Sequence, residues 1–292
     1  MRLAVITGAD SVYFDLMHEL LRTLSAADID LDYALCVLDF GLLPEQTALA
    51  ERYGAAVKCP KWRFDAPDAL KTDANLSYAT RPLLPHCFPG YDIYLWLDAD
   101  ISVQDGRFIS TFVEAALEGR LAIAEEVDPC YRLEPYALKW QIGNAFRCFG
   151  FRGGLALCRG RPINSGVFAL RSDAPHWSKW QERYQQAIDH THRANLDQHA
   201  LMAALYLDEM PCHYLNSTYN WICGRSQPLW DEARQVFCRP HAPFEKINVL
   251  HLAGREKNKL WDIKTRAGAI QQMRLSYISR QAAVPPAEPE AA

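Results

Sequence analysis

Two carboxylates at the end of a strongly apolar run are the residues of this chain best suited to do chemistry. Asp98 and Asp100 flank the small Ala99 and directly follow residues 93–97, which read Ile-Tyr-Leu-Trp-Leu. Such a run predicts a buried strand, so the acids are expected at a sheet edge, where α/β proteins bind ligands. Carboxylates this close repel each other, and a divalent cation is the usual group that offsets the repulsion. The pattern predicts a metal site that could carry a diphosphate.

The composition predicts a globular chain with a sizeable core. Its 292 residues are 49% apolar, enough for one large or two small domains. The net charge of −4 gives no reason to expect nucleic-acid binding. Nine scattered cysteines without a Cys-x-x-Cys pair argue against a zinc site or disulfide framework and favour a reducing cytoplasm. We also expect neither a secretory signal nor a membrane-spanning segment.

Strand-like and helix-like segments alternate along the first half of the chain. Strands are expected at residues 3–6, 33–38, 56–58, 93–97 and 121–124, and helices at 13–26 and 44–53. This rhythm predicts an α/β, Rossmann-like fold with a mostly parallel sheet and helices on both faces. The second half is less regular. We expect loops and short helices at residues 128–162 and a polar turn feeding a strand at 164–170. Two helices are expected at 176–190 and 197–207.

The predicted organisation is one domain over residues 1–280, with a regular half at residues 1–127 and an irregular half at residues 128–280. The segment at 281–292 is rich in Pro, Ala and Glu, so we expect it to be disordered.

Candidate functional residues at four further places fall near the ends of predicted elements. They are Thr7, Ala9, Asp10 and Tyr13; Arg81; Asn164, Ser165 and Gly166 with Asp197 and Gln198; and His251, Gly254 and Lys257. The turn at Asp10 offers backbone donors and a carboxylate, and Tyr13 offers an aromatic face on which a base could stack. Each place also has an ordinary structural interpretation. Asp10 and Asp197 would be good helix N-caps, and Arg81 could be a surface arginine.

In their order and spacing these patches resemble the family 8 glycosyltransferases, which are retaining, nucleotide-sugar-dependent enzymes with the GT-A fold. The resemblance covers residues 3–261 and implies that the domain at 1–280 is catalytic, with a nucleotide-binding half at 1–127 and an acceptor and closing half at 128–280. It implies that Asp98, Asp100 and His251 bind a metal, and an imidazole with two carboxylates suits Mn²⁺ better than Mg²⁺. The chain departs from the family after Lys257, where the usual Lys-Pro-Trp is replaced by Lys-Asn-Lys-Leu-Trp.

The resemblance also implies how the donor is held. The residues expected to bind the UDP-sugar are Thr7, Ala9, Asp10, Tyr13, Arg81, Ala99, Ser165, Gly166, Gly254 and Lys257. Lys257 and Arg81 would oppose phosphate charge. Asn164, Asp197 and Gln198 would face the positive charge that develops at the anomeric carbon.

The predicted function is transfer of a hexose from a UDP-sugar to a saccharide, lipid-linked or protein acceptor with retention of configuration. One alternative is a catalytically silent module that binds a nucleotide sugar. Another is a metal-dependent nucleotidyl- or phosphotransferase, although the first turn has no P-loop pattern. The arginines at 147, 152, 159 and 161 could meet an anionic acceptor or simply be solvated. The basic, partly amphipathic segment 264–280 indicates weak association with the inner membrane surface.

Overall fold

The computed structural model describes residues 1–254, 257 and 260–275. The tail that we predict to be disordered lies outside these residues. The strands are β1 Leu3–Ala9, β2 Ala34–Asp39, β3 Ala56–Lys58, β4 Ile93–Leu97, β5 Ile101–Val103, β6 Leu121–Glu125, β7 Ile163–Arg171, β8 Cys212–Leu215, β9 Trp221–Ile222, β10 Leu229–Asp231, β11 Val236–Cys238, β12 Val249–His251, β13 Trp261–Lys264 and β14 Ile270–Met273. The helices are α1 Phe14–Ala26, α2 Pro44–Arg52, α3 Asp73–Thr80, α4 Leu84–Cys87, α5 Phe108–Leu117, α6 Pro135–Arg159, α7 His176–Thr191 and α8 Asp197–Tyr206.

A seven-stranded sheet in the order β3-β2-β1-β4-β7-β6-β8 forms the centre of the fold. All neighbouring strands run parallel except β7, which is antiparallel to both β4 and β6. The mostly parallel α/β sheet predicted from the sequence is therefore confirmed. Its parallel strands end at one edge, where the acids after β4 and the turn after β1 lie.

Both faces of the sheet are covered, which explains why the run at β4 is continuously apolar. Tyr94 and Trp96 pack in one hydrophobic cluster with Trp180 of α7, while Leu95 packs in another with Phe112 of α5. Successive strand residues point to opposite faces, so a strand buried on both must be apolar throughout. Full burial of each such side chain contributes roughly 1.5–3 kcal/mol, and this holds the strand end rigidly in place.

The prediction of loops and short helices over residues 128–162 was wrong. Most of that segment is α6, in which two helical stretches, 135–149 and 151–159, meet at a kink at Gly150, where φ is 65° and ψ is −172°. Its glycines obscured the periodicity, because Gly153 and Gly154 permit close packing within the helix and only Gly150 interrupts it. A Cβ on the buried Gly154, for example, would lie 2.6 Å from Phe146.

The polar segment at residues 164–166 is not a turn before a strand, as predicted, but part of β7 itself. Val167 pairs with Leu97 of β4, and β7 begins four residues earlier at Ile163. Asn164 and Gly166 therefore lie beside the end of β4, and the carbonyl of Gly166 accepts a hydrogen bond of 2.8 Å from the amide of Asp98.

The second half of the chain adds a small sheet in the order β5-β12-β9 and two hairpins, β10–β11 and β13–β14. The segment that we predict to be amphipathic, 264–280, contributes to the β13–β14 hairpin as far as it is described. No helix within the described residues is both long and apolar enough to cross a membrane.

Candidate functional site

A cleft of about 740 Å³ opens where β1 and β4 end. The site residues predicted from the sequence that line it are Ala9, Asp10, Tyr13, Arg81, Asp98, Ala99, Asp100, Asn164, Ser165, Gly166, Asp197, Gln198, His251, Gly254 and Lys257. The exception is Thr7, whose side chain is 1% exposed within β1 and does not reach the cleft. Thr7 lies two residues after Val5 and shares its buried face of the strand.

Asp98, Asp100 and His251 form a compact group of metal-ligating side chains. Their ligand atoms all lie within 4.8 Å of one another. The Nε2 atom of His251 is 3.3 Å from Oδ1 of Asp100 and 3.8 Å from Oδ2 of Asp98. Antiparallel pairing of β5 and β12 sets His251 opposite Ile101, so the acid before β5 meets the imidazole that ends β12. Two carboxylates and an imidazole so placed can hold a divalent cation such as Mn²⁺.

Asn220 orients the imidazole for this role. Its Oδ1 lies 2.8 Å from Nδ1 of His251, and because an amide oxygen only accepts, Nδ1 carries the proton. The neutral tautomer then leaves the lone pair of Nε2 facing the two acids. The amide of Asn220 also donates to Oδ1 of Asn164 at 2.9 Å. Asn220 thus links the imidazole to the wall of the cleft.

One oxygen of Asp98 is already held by the protein, and the other is left for a ligand. Its Oδ1 accepts from Arg81 at 2.5 Å and from the indole of Trp96 at 2.7 Å, while its Oδ2 faces His251. Arg81 also donates to Asp197 at 2.6 Å. Asp197 begins α8, but its carboxylate meets Arg81 and does not cap the helix. Burial opposes the charge of Arg81, yet Asp98 and Asp197 raise the pKa of its guanidinium.

Asp100 forms an ion pair with Lys257. Lys257 Nζ lies 2.7 Å from Oδ2 of Asp100 and 4.7 Å from the centre of the Tyr13 ring. Although burial opposes ionisation of Asp100, His251 and Lys257 lower the pKa of this carboxyl, which is ionised at neutral pH. Arg81 and Lys257 therefore offset the repulsion between the two acids from opposite sides.

The first turn of the cleft is built around Asp10. Its Oδ1 accepts from the amides of Val12 at 3.0 Å and Tyr13 at 2.8 Å, and α1 begins at the next residue, Phe14. The interpretation of Asp10 as the N-cap of this helix is wrong, because Tyr13 occupies that position and no side chain caps α1. The carboxylate of Asp10 instead closes the turn that precedes the helix. Tyr13 is 43% exposed, so its ring is accessible from the cleft. Binding of uridine here stays a prediction.

The remaining wall is a network between β7 and α8. The amide of Ser165 donates to Oε1 of Gln198 at 3.0 Å, and that of Gly166 donates to Oδ1 of Asn164 at 3.0 Å. Gly166 has no room for a side chain. A Cβ there would lie 2.4 Å from Cε1 of His251 and 3.0 Å from Oδ2 of Asp98.

Sequence reasoning missed a third acid beside the site, Glu126. It is buried, pairs with Arg225 at 2.6 Å, and has an Oε2 atom without a hydrogen-bond partner among the described residues. Burial raises the pKa of Glu126, although Arg225 and His251 partly counter it. The signal was present, because Glu126 follows the apolar strand β6 much as Asp98 follows β4. Asn220 and Trp96 are two further site residues to which sequence reasoning assigned no role.

No protein-family model matches this sequence, and no curated protein matches it. Solved structures share the fold at low identity. The galactosyltransferase LgtC, solved with donor and acceptor sugar analogs, is 18% identical, with a TM-score of 0.55 over 86% of this chain and 87% of that one. Mouse xyloside xylosyltransferase 1 is 14% identical, with a TM-score of 0.54 over 87% of this chain and 98% of that one. The bifunctional glycosyltransferase WbbM is 13% identical, with a TM-score of 0.55 over 87% of this chain and 46% of that one.

These likenesses establish the fold. The seven-stranded, mostly parallel sheet with a cleft at its edge is the GT-A fold of glycosyltransferases. The predicted fold is confirmed.

Proposed function

We propose that this GT-A-fold protein is a metal-dependent glycosyltransferase of the family 8 type, which moves a hexose from a UDP-sugar to an acceptor with retention of configuration. One observation carries the proposal. Asp98, Asp100 and His251, which are up to 153 residues apart (251 − 98), converge at the edge of a cleft large enough for a nucleotide sugar.

The donor atoms of the site fit a divalent metal. Asp98 and Asp100 would supply carboxylate oxygens, and His251 would supply Nε2, whose tautomer Asn220 secures. When bound, a cation such as Mn²⁺ would neutralise negative charge on the leaving diphosphate.

The chain's own groups perform the rest of the proposed chemistry. Lys257 moves its ammonium from Asp100 to the diphosphate. Arg81 holds the carboxylate of Asp197 in place in the wall through a hydrogen bond. Asn164, Asp197 and Gln198 then present oxygen atoms to the positive charge that develops at the anomeric carbon, and a preorganised polar wall stabilises such charge without reorganising.

The experiment that tests this function is a screen of UDP-sugars for Mn²⁺-stimulated release of UDP. Release of UDP from one sugar supports a glycosyltransferase. Release of UMP or pyrophosphate would instead support the nucleotidyltransferase alternative. Tight binding of a UDP-sugar without turnover, in the presence of acceptor extracts, would favour the silent module.

Removing the Lys257 ammonium should have opposite effects on two ligands. Lys257→Ala should weaken UDP binding in saturating Mn²⁺ by about tenfold, because a charged hydrogen bond to phosphate is lost. The same change should tighten binding of Mn²⁺ alone, because Lys257 no longer competes for Oδ2 of Asp100. Titration calorimetry measures both, with the exposed Lys264→Ala as control. Unchanged UDP affinity would remove Lys257 from the phosphate site.

Metal affinity should rise with pH around neutrality. Burial opposes the charge of His251, but Asp100 and Asp98 raise its pKa above the ordinary 6.5. A proton on Nε2 competes with the metal, so affinity should fall up to tenfold for each pH unit below that raised pKa and level off above it. Asp100, with its lowered pKa, stays ionised throughout.

Mn²⁺ titrations at a series of pH values check this dependence. His251→Ala should flatten it, whereas the exposed His241→Ala should leave it intact. A profile that is unchanged in His251→Ala would show that another group competes with the metal.

A further inference from the structure

The outer side of α6 carries exposed apolar and basic side chains that nothing in the described chain covers. Tyr136 is 80% exposed and Phe151 75%, and Ile142 is exposed between them along the helix. Lys139, Arg147 and Arg152 are exposed beside them. We call these six residues the α6 face.

Helical geometry gathers the α6 face on one side. Tyr136, Lys139 and Ile142 follow one another at three-residue spacing, and Arg147 lies about three turns after Tyr136, so all four fall on one half of the helix surface. The kink at Gly150 ends this helical register, and Phe151 begins the second helical stretch of α6. Its ring centre lies 5.9 Å from that of the half-buried Phe146, which connects the two segments.

The charge of this face has a single sign. The 25 residues of α6 contain no Asp or Glu, although the chain as a whole has a net charge of −4. Lys139, Arg147 and Arg152 form no ion pair with any residue that the structure describes. Exposed aromatic and aliphatic side chains beside cations without an ion pair match a partner that offers both an apolar layer and anions.

The adjoining side of α6 is firmly held and borders the cleft. Trp140, adjacent to Lys139 in the chain, lines the cleft and packs edge-on against His199 of α8. Further along, Asn144 and Cys148 are buried, and the carbonyl of Cys148 meets Nδ1 of His190 at 2.6 Å. The α6 face is thus a rigid surface next to the site and not a frayed segment.

We propose that the α6 face binds the surface of a membrane that contains anionic phospholipids. Tyr136, Ile142 and Phe151 enter the headgroup region, where amphipathic rings and aliphatic side chains partition favourably. Lys139, Arg147 and Arg152 lie against lipid phosphates. An acidic protein would satisfy the cations but leaves the aromatic and aliphatic side chains unexplained. The inference does not depend on the proposed transferase activity.

Vesicle sedimentation tests the proposal on the full chain. The protein should bind vesicles of phosphatidylcholine mixed with phosphatidylglycerol, bind those of phosphatidylcholine alone at least tenfold more weakly, and lose affinity as salt is raised. The triple variant Lys139→Glu/Arg147→Glu/Arg152→Glu should lose at least tenfold in binding to the mixed vesicles. The double variant Tyr136→Ser/Phe151→Ser should also bind more weakly, at unchanged net charge.

A matched control replaces three exposed cations elsewhere, Arg52→Glu/Lys61→Glu/Arg63→Glu, and should bind the mixed vesicles within about twofold of the parent. Thermal melting verifies that every variant is folded. Equal binding by the parent and the α6 triple variant would overturn the proposal, as would an absence of binding to mixed vesicles. A dimer in light scattering that only the α6 variants dissociate would also overturn it, by assigning the face to a second copy of the chain.

Discussion

Asp98→Asn is expected to weaken Mn²⁺ binding by more than about 100-fold and to abolish metal-stimulated release of UDP. Two structural effects combine. The substitution removes one of two anionic oxygen ligands, and it deprives the buried Arg81 of one of its two carboxylate partners. An amide at this position can still accept from Trp96, so the local backbone should persist. Titration of Mn²⁺ and an assay of UDP release measure the two effects.

The matched control for this change is Asp262→Asn, which neutralises an exposed acid in β13. It should bind Mn²⁺ like the parent. Thermal melting shows at which temperatures the Asp98→Asn protein is folded. Its Mn²⁺ affinity is then measured below its melting transition, so that a loss of affinity reflects the missing ligand and not unfolding. Full metal affinity in a folded Asp98→Asn protein would refute the role of Asp98.

Gly166→Ala should disrupt the metal centre by adding a single methyl group. The new Cβ would lie 2.4 Å from Cε1 of His251, 2.8 Å from Oδ1 of Asn164 and 3.0 Å from Oδ2 of Asp98. Real Cβ atoms do not approach this closely, so the imidazole must move away from the acids. We expect Mn²⁺ affinity to fall about 10- to 100-fold, the effect of displacing the support of a ligand.

Gly143→Ala is the control for the added methyl group. Its Cβ would meet only the flexible end of Arg147, at 3.9 Å, and an alanine in that helix stabilises it by up to ~1 kcal/mol. The Gly143→Ala protein should bind Mn²⁺ with the affinity of the parent. If Gly166→Ala binds Mn²⁺ as well as the parent, the geometry described for His251 is not the one that binds metal.

The first half of the fold was predictable because its elements are set by local patterns. The apolar run of β4 could be recognised from its sequence, and so could the acids that follow it, since a strand covered on both faces must end where polar residues begin. The turn at Asp10 could be recognised in the same way, because it directly follows the buried strand β1. The pattern could not show that Arg81 donates hydrogen bonds to both Asp98 and Asp197. These two residues are 17 and 116 residues away from Arg81 in the chain.

The second half was harder for a physical reason. His251 meets Asp100 only because β12 pairs with β5, two three-residue strands too short to recognise from periodicity. In α6, glycines that normally break helices permit close packing of Phe146 and Phe149, so composition pointed to loops. His251 was identified as a metal ligand only through the resemblance to a known family. Asn220 and Glu126 were identified as site residues only from the structure.

The most direct test of the central claim is an anomalous diffraction map from crystals grown with Mn²⁺ and UDP. The account predicts one manganese peak within coordination distance of Asp98, Asp100 and Nε2 of His251, with the diphosphate on its open side and Lys257 withdrawn from Asp100. UDP bound in the cleft with no manganese between those three side chains would contradict it.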